Sequence, residues 1–145
     1  MTSIVSYQKY IDSETTKTLN APEGSTELCT LSGITYVAIP AGEVLPEDQP
    51  PQIADSIEPA QMTDTLRNNI KAASPHCKLI AKRMEERIRQ HYSLEDELYF
   101  ARISVGALTG QYTFEPGEAE AVAAFGEFVE ECRQWGRDQR AALGL

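Results

Sequence analysis

The feature that most constrains this chain is a change of hydrophobic period near residue 60. Before it, apolar residues fall in short β-branched and aromatic runs. After it, they recur at steps of three and four, the spacing of an amphipathic helix. Between the two regimes, Pro40, Pro46, Pro50, Pro51 and Pro59 supply five of the chain's eight prolines. Proline locks φ and removes a backbone donor, so this stretch is expected to run extended and semi-rigid as a linker. Acids at Glu43, Glu47, Asp48, Asp55 and Glu58 accompany it. The expected class is α+β: an N-terminal β-hairpin and acidic proline-rich linker over residues 26–62, then a small helical bundle over 63–145.

The β signal is best between Glu27 and Ile39. Glu27-Leu28-Cys29-Thr30-Leu31 and Ile34-Thr35-Tyr36-Val37-Ala38-Ile39 flank Ser32-Gly33, a hairpin pattern. A lone hairpin is marginal in water, so it must pack on the helices or on another chain. Residues 1–25 are polar and weakly periodic, apart from Ile4-Val5, Tyr7 and Tyr10-Ile11. They read as a short strand, or as an arm that is flexible or orders only on a partner.

Four helices are expected beyond. The first runs about Asp64–Ala73, with Thr63 as N-cap. Ser74-Pro75 opens a second to about residue 91, with its stripe at Cys77, Ile80, Met84 and Ile88. Ser93 with Asp96 forms a capping-box pattern for a third, to about Leu108. Its expected buried face is Leu94, Leu98, Ala101, Val105 and Leu108. Pro116 starts the last, about 117–137, with Val122, Phe125, Val129, Cys132 and Trp135 as core stripe. Acids at its start and arginines at its end complement the helix dipole.

Charge bears on partners. The chain carries a net charge of −9, which opposes nucleic-acid binding on average. The distribution is uneven. Residues 1–62 hold nine acids against two lysines, whereas residues 67–89 hold seven bases against two acids. Lys78, Lys82, Arg83, Arg87 and Arg89 cover much of the second helix outside its apolar stripe, as a solvated face or a platform for an acidic protein surface. No apolar run approaches the roughly 20 residues of a membrane span, and the N-terminus has no basic start or hydrophobic signal stretch. The expected location is the cytoplasm. Cys29, Cys77 and Cys132 are odd in number and widely spaced, as suits buried thiols in a reducing compartment.

The residues offer little for catalysis. His76 and His91 sit at opposite ends of one expected helix, roughly 22 Å apart, and cannot share a metal there. Glu95-Asp96-Glu97 and Glu130-Glu131 fall on expected solvated faces, not in apolar pockets that would make a general acid. Ser104–Gly110 has two glycines but no following lysine, so it is no phosphate loop. No zinc spacing or nucleophile elbow appears. The expectation is a protein with no enzymatic activity and no cofactor or metal.

The layout resembles small tail-fibre assembly proteins and tail assembly chaperones of bacteriophages. The resemblance lies in the Gly33–Ile39 run GITYVAI, the Pro46–Pro51 segment, and AFGEFVEECRQWGRD at Ala124–Asp138. It implies a helper that binds a tail-fibre or other phage structural protein in the host cytoplasm, and that can remain with the virion. On this reading Tyr36, Val37 and Ile39 of the hairpin contact the partner, and Lys78, Lys82, Arg83, Arg87 and Arg89 form an electrostatic platform. The acidic N-terminal half and basic second helix depart from the family layout. They leave two alternatives: an acidic, DNA-mimicking inhibitor of a host nucleic-acid-binding defence protein, or a structural subunit of a homo-oligomer whose hairpin extends a neighbour's sheet.

Overall fold

The computed structural model describes all of residues 1–145 and is an α+β fold. Two compact units form, one from Met1–Leu79 with Gln139–Leu145, the other from Ile80–Asp138.

The first unit is built on an antiparallel sheet of β1 (Ser3–Tyr7), β2 (Thr26–Leu31), β3 (Ile34–Ile39) and β4 (Glu58–Pro59), in the order β2-β3-β1-β4. The β2–β3 hairpin closes through Ser32 and Gly33, both at positive φ (50° and 80°). A two-residue turn needs this backbone hand to match the strand twist. Thr30 and Thr35, paired across the hairpin, join their hydroxyls at 2.8 Å.

Of the two readings of the N-terminal segment, the short strand is the one that forms, and the arm is corrected. β1 is an inner strand, paired along its length with β3 and at Val5–Ser6 with β4. Its alternation is short but two-sided. Val5 and Tyr7 join Val37, Ile39 and Leu19 on one face, while Ile4 joins Leu28 and Ala38 on the other. Five residues between polar neighbours give little periodic signal, yet pairing with β3 along the strand and with β4 at Val5–Ser6 places them inside the sheet.

The proline-rich stretch is not a bare linker either. Pro50 and Pro51 start a single helical turn, α1 (Pro51–Ala54), that drives Ile53 into the Tyr7–Leu19–Val37–Ile39 cluster. Leu45 and Ile57 pack beside it. Gln49 clamps the segment to Asn20: its Oε1 accepts from the Asn20 N–H at 2.9 Å, and its Nε2 donates to the Asn20 carbonyl at 2.8 Å. Proline here pre-sets a turn whose one aliphatic side chain is buried.

The opposite sheet face is covered by α2 (Asp64–Ala73), through Leu66 and Ile70, and by Leu143 and Leu145 beyond the last helix. Thr63 caps α2 by accepting from the Leu66 N–H at 3.1 Å. The Thr2 hydroxyl donates to the Ala142 carbonyl at 3.0 Å, fastening the C-terminal residues beside β1.

Two long helices, α3 (Pro75–His91) and α5 (Glu118–Ala142), supply residues to both units. In the second unit they pack with α4 (Leu94–Leu108) around an aromatic cluster. Tyr92 lies edge-on to Phe125 at 5.0 Å, and Phe100 sits 5.1 Å from Phe125. The capping box opening α4 is complete: the Ser93 side chain accepts from the Asp96 N–H, and the Asp96 carboxylate from the Ser93 N–H. On α3 and α5 the expected stripes are buried or half-buried from Cys77 to Ile88 and from Val122 to Trp135.

On α4 the expected face is reversed. Leu94, Leu98, Ala101, Val105 and Leu108 are all exposed, while Phe100, Ile103 and Ala107 turn inward. Both sets have helical spacing. The inner one contains Phe100, whose ring completes the aromatic cluster with Tyr92 and Phe125. Aromatic packing buries more area per side chain than leucine or valine and decides the rotation.

Candidate protein-docking groove

Within the second unit, α3 and α5 lie side by side and leave an open groove of about 520 Å³ between them. Arg83, Glu86, Arg87 and Gln90, one or two turns apart on α3, form one wall. Phe128, Glu131, Cys132 and Trp135, at steps of three and four on α5, form the other. The helical repeat thus brings side chains from both sequences onto facing stripes.

Two features define its chemistry. The Arg87 guanidinium carbon sits 4.2 Å from the centre of the Trp135 ring, a cation–π contact that fixes a positive charge on an aromatic floor. Arg83, one turn earlier, is exposed and makes no ion pair. Nearby, His91 packs on Phe128 with centroids 4.3 Å apart. Burial pushes the Cys132 thiol up, against an opposing effect from Arg87. A thiol held in its protonated form is a poor nucleophile, so Cys132 acts here as lining.

The basic residues singled out in the sequence divide three ways. Arg83 and Arg87 line the groove. Arg89 is spent on its own fold: it pairs with Glu85 at 2.9 Å and with Glu97 on α4, tying α3 to α4. Lys78 and Lys82 are exposed on α3 and make no ion pair.

The hairpin residues divide as well. Val37 and Ile39 are buried in the sheet's core, so the folded chain cannot offer them to a partner. Alternation along β3 sends them to one covered face. Tyr36, on the other face, is half-buried and borders a shallow depression of about 290 Å³ with Glu58, Pro59 and Leu66. β2 is an edge strand, but a bulge between Glu27 and Cys29 interrupts its regular ladder. Bulged edges twist away from further strand pairing.

A second polar cluster, at the start of α5, has a structural role. Glu118 accepts from the Tyr112 hydroxyl at 2.6 Å, from the Glu115 N–H at 2.7 Å and from the Tyr99 hydroxyl. These three donors hold its carboxyl below the usual glutamate range, Tyr112 foremost. The same contact pushes Tyr112 up to about 12. A carboxylate held ionised this way is a helix-start anchor, not a general acid. No three His, Cys, Asp or Glu side chains are gathered as a metal ion would require, and no helix is long and apolar enough to cross a membrane.

The pairing of Arg87 with Trp135 had no local signal, since the two lie far apart in sequence and meet only when α3 and α5 pack. Comparison with protein-family models, with curated proteins and with solved structures finds no match for this chain.

Proposed function

We propose that this protein is a non-enzymatic assembly chaperone or adaptor, of the phage tail type, that holds an acidic segment of a tail-fibre or other tail protein in the α3–α5 groove. The observation that carries this reading is the groove's pair of arginines: Arg83 without a carboxylate partner, and Arg87 fixed over Trp135. A partner carboxylate gains charge-assisted hydrogen bonds from them, and a flanking apolar side chain gains the Trp135 and Phe128 surfaces. Glu86 and Glu131 line the same groove. Their charges disfavour a run of phosphates and favour a polypeptide that presents both signs. Lys78 and Lys82 extend positive charge along α3 and serve approach more than affinity.

The test is a tagged pull-down from the native expression context, run at low and high salt, comparing the natural chain with an Arg83→Glu/Arg87→Glu variant. Recovery of a fibre or tail protein by the natural chain, and its loss from the variant, supports the groove. Equal recovery by both removes it. Salt-sensitive recovery of a host nucleic-acid-binding protein in place of a tail protein would favour the acidic inhibitor instead.

A further inference from the structure

The outward face of α4 carries an apolar stripe without a partner in the chain. Leu94, Leu98, Val105 and Leu108 are 57%, 45%, 60% and 87% exposed, and the exposed Ala101 lies between them. With Ile103 buried on the opposite side, α4 is apolar on both faces. A helix of that kind is normally covered on both. The stripe leaves on the order of 500 Å² of apolar surface in water, at the upper end for a monomer's largest patch.

Its spacing is informative. The steps from Leu94 to Leu108 are four, three, four and three, the core repeat of a helix pair wound together. Three α4 positions beside the stripe carry charge at its edges. Glu97 is held by Arg89, but Glu95 and Arg102 make no ion pair. Seven residues apart, Glu95 and Arg102 flank the same edge of the stripe and cannot reach each other, being roughly 10 Å apart along the axis.

We propose that the α4 face is the interface of a homodimer in which two copies pack α4 against α4 antiparallel about a two-fold axis. In the alignment that sets Leu94 over the partner copy's Val105 and Leu98 over its Ala101, each Glu95 faces the other copy's Arg102. Both free charges of the edge are then paired, twice over by symmetry. Sliding the partner one heptad along would set Arg102 against Arg102, so charge selects the alignment. A parallel pairing would align the acidic N-terminal turns, Glu95 to Glu97, with each other. Ala101 in the middle lets the backbones approach closely. Leu108 lies beyond the last layer of this alignment. Covering Leu94 to Val105 on both copies thus removes on the order of 700 Å² of apolar surface from water, the size of a weak, concentration-dependent dimer contact. The occupant is a second copy because this stripe complements itself in apolar layers and in charge.

The test is light scattering coupled to gel filtration over a concentration series, with circular dichroism to verify that each variant keeps its helices. Leu98→Glu, at an exposed position, is expected to give a monomer. Glu95→Arg and Arg102→Glu are each expected to weaken self-association by about tenfold, since each reverses two symmetric edge pairs. The double variant Glu95→Arg/Arg102→Glu is expected to regain the natural affinity. Mixing the two single variants is expected to give heterodimers, because their charges complement across the same layers. A natural chain that stays monomeric throughout the series overturns the proposal. So does a dimer indifferent to Leu98→Glu. A dimer broken by Leu98→Glu in which the charge swap fails to restore affinity overturns the antiparallel alignment.

Discussion

Replacing Ile53 by alanine tests whether the proline-rich segment is core or connector. Ile53 is 1% exposed and packs with Tyr7, Leu19, Val37 and Ile39 from three different stretches of chain. Truncation to alanine removes buried methyl and methylene groups and leaves a cavity, which costs about 2–5 kcal/mol in well-packed cores. Two facts place the expectation near the middle, at about 3 kcal/mol. The helical turn is short and solvent-exposed on its outer side, so it can relax inward. Yet its carbonyl is held by the Ser56 hydroxyl at 2.7 Å, and Ser56 Oγ accepts from the Gln8 N–H at 2.9 Å, which limits that relaxation. Val44, 82% exposed in the same segment, is the control, and its alanine variant should fall within about 0.5 kcal/mol of the natural chain. The assay is denaturant unfolding followed by amide exchange of β1 and β3, which localises the loss to the sheet unit. If Ile53→Ala and Val44→Ala prove equally mild, the segment is a connector and the packing argument for α1 fails.

Further outcomes follow from the second unit and the thiols. A Cβ at Gly106 would stand 2.7 Å from the Tyr112 Cβ, so Gly106→Ala should destabilise by about 1–3 kcal/mol despite alanine's better helix propensity, as thermal unfolding would read. Glu118 has a lowered carboxyl, so its stabilising effect is present above the unfolded glutamate value and is lost as pH falls through the folded one; Glu118→Gln should flatten that acid-side fall in stability. Tyr112 has the opposite sign: raised from 10 to about 12, it stabilises below pH 10 and loses that effect as pH rises through about 12. Tyrosinate absorbance should therefore show a late-titrating group that disappears in Tyr112→Phe. Burial raises both the Cys29 and Cys132 thiols, so alkylation of the folded chain near neutral pH should be slow at both and rapid after unfolding.

Helix ends were the most legible part of this chain. Thr63, Ser74-Pro75 and the Ser93–Asp96 box are local chemistry, and helices begin or end at each of them. The hairpin was legible for the same reason: Ser32-Gly33 carries its turn in two residues. What escaped was anything decided by distant partners. The few apolar residues of β1 left strand and arm both open until β3 and β4 pair with its edges. The α4 sequence supports two apolar faces, and only the ring of Phe100 meeting Tyr92 and Phe125 selects the inner one. The groove was half visible. Its arginines stood out as a basic run, but Trp135 read as core, and Arg89 counted as free charge although Glu85 and Glu97 consume it. Val37 and Ile39 carried the strongest β signal, which is the reason they are interior.

The sheet's cover from Leu143 and Leu145 has a consequence for the order of events during synthesis. Ile4 leaves the ribosome before any of Ile80–Asp138, while these two leucines emerge only after the whole of it. The helical unit is therefore nested inside the sheet unit in time as well as in sequence. It can settle while the sheet still lacks part of one face, and that face is completed only when Leu143 and Leu145 return to it. A truncation after Asp138 would leave a nascent-like state with Ile4 and Leu28 partly uncovered, and with them a template for association between unfinished chains.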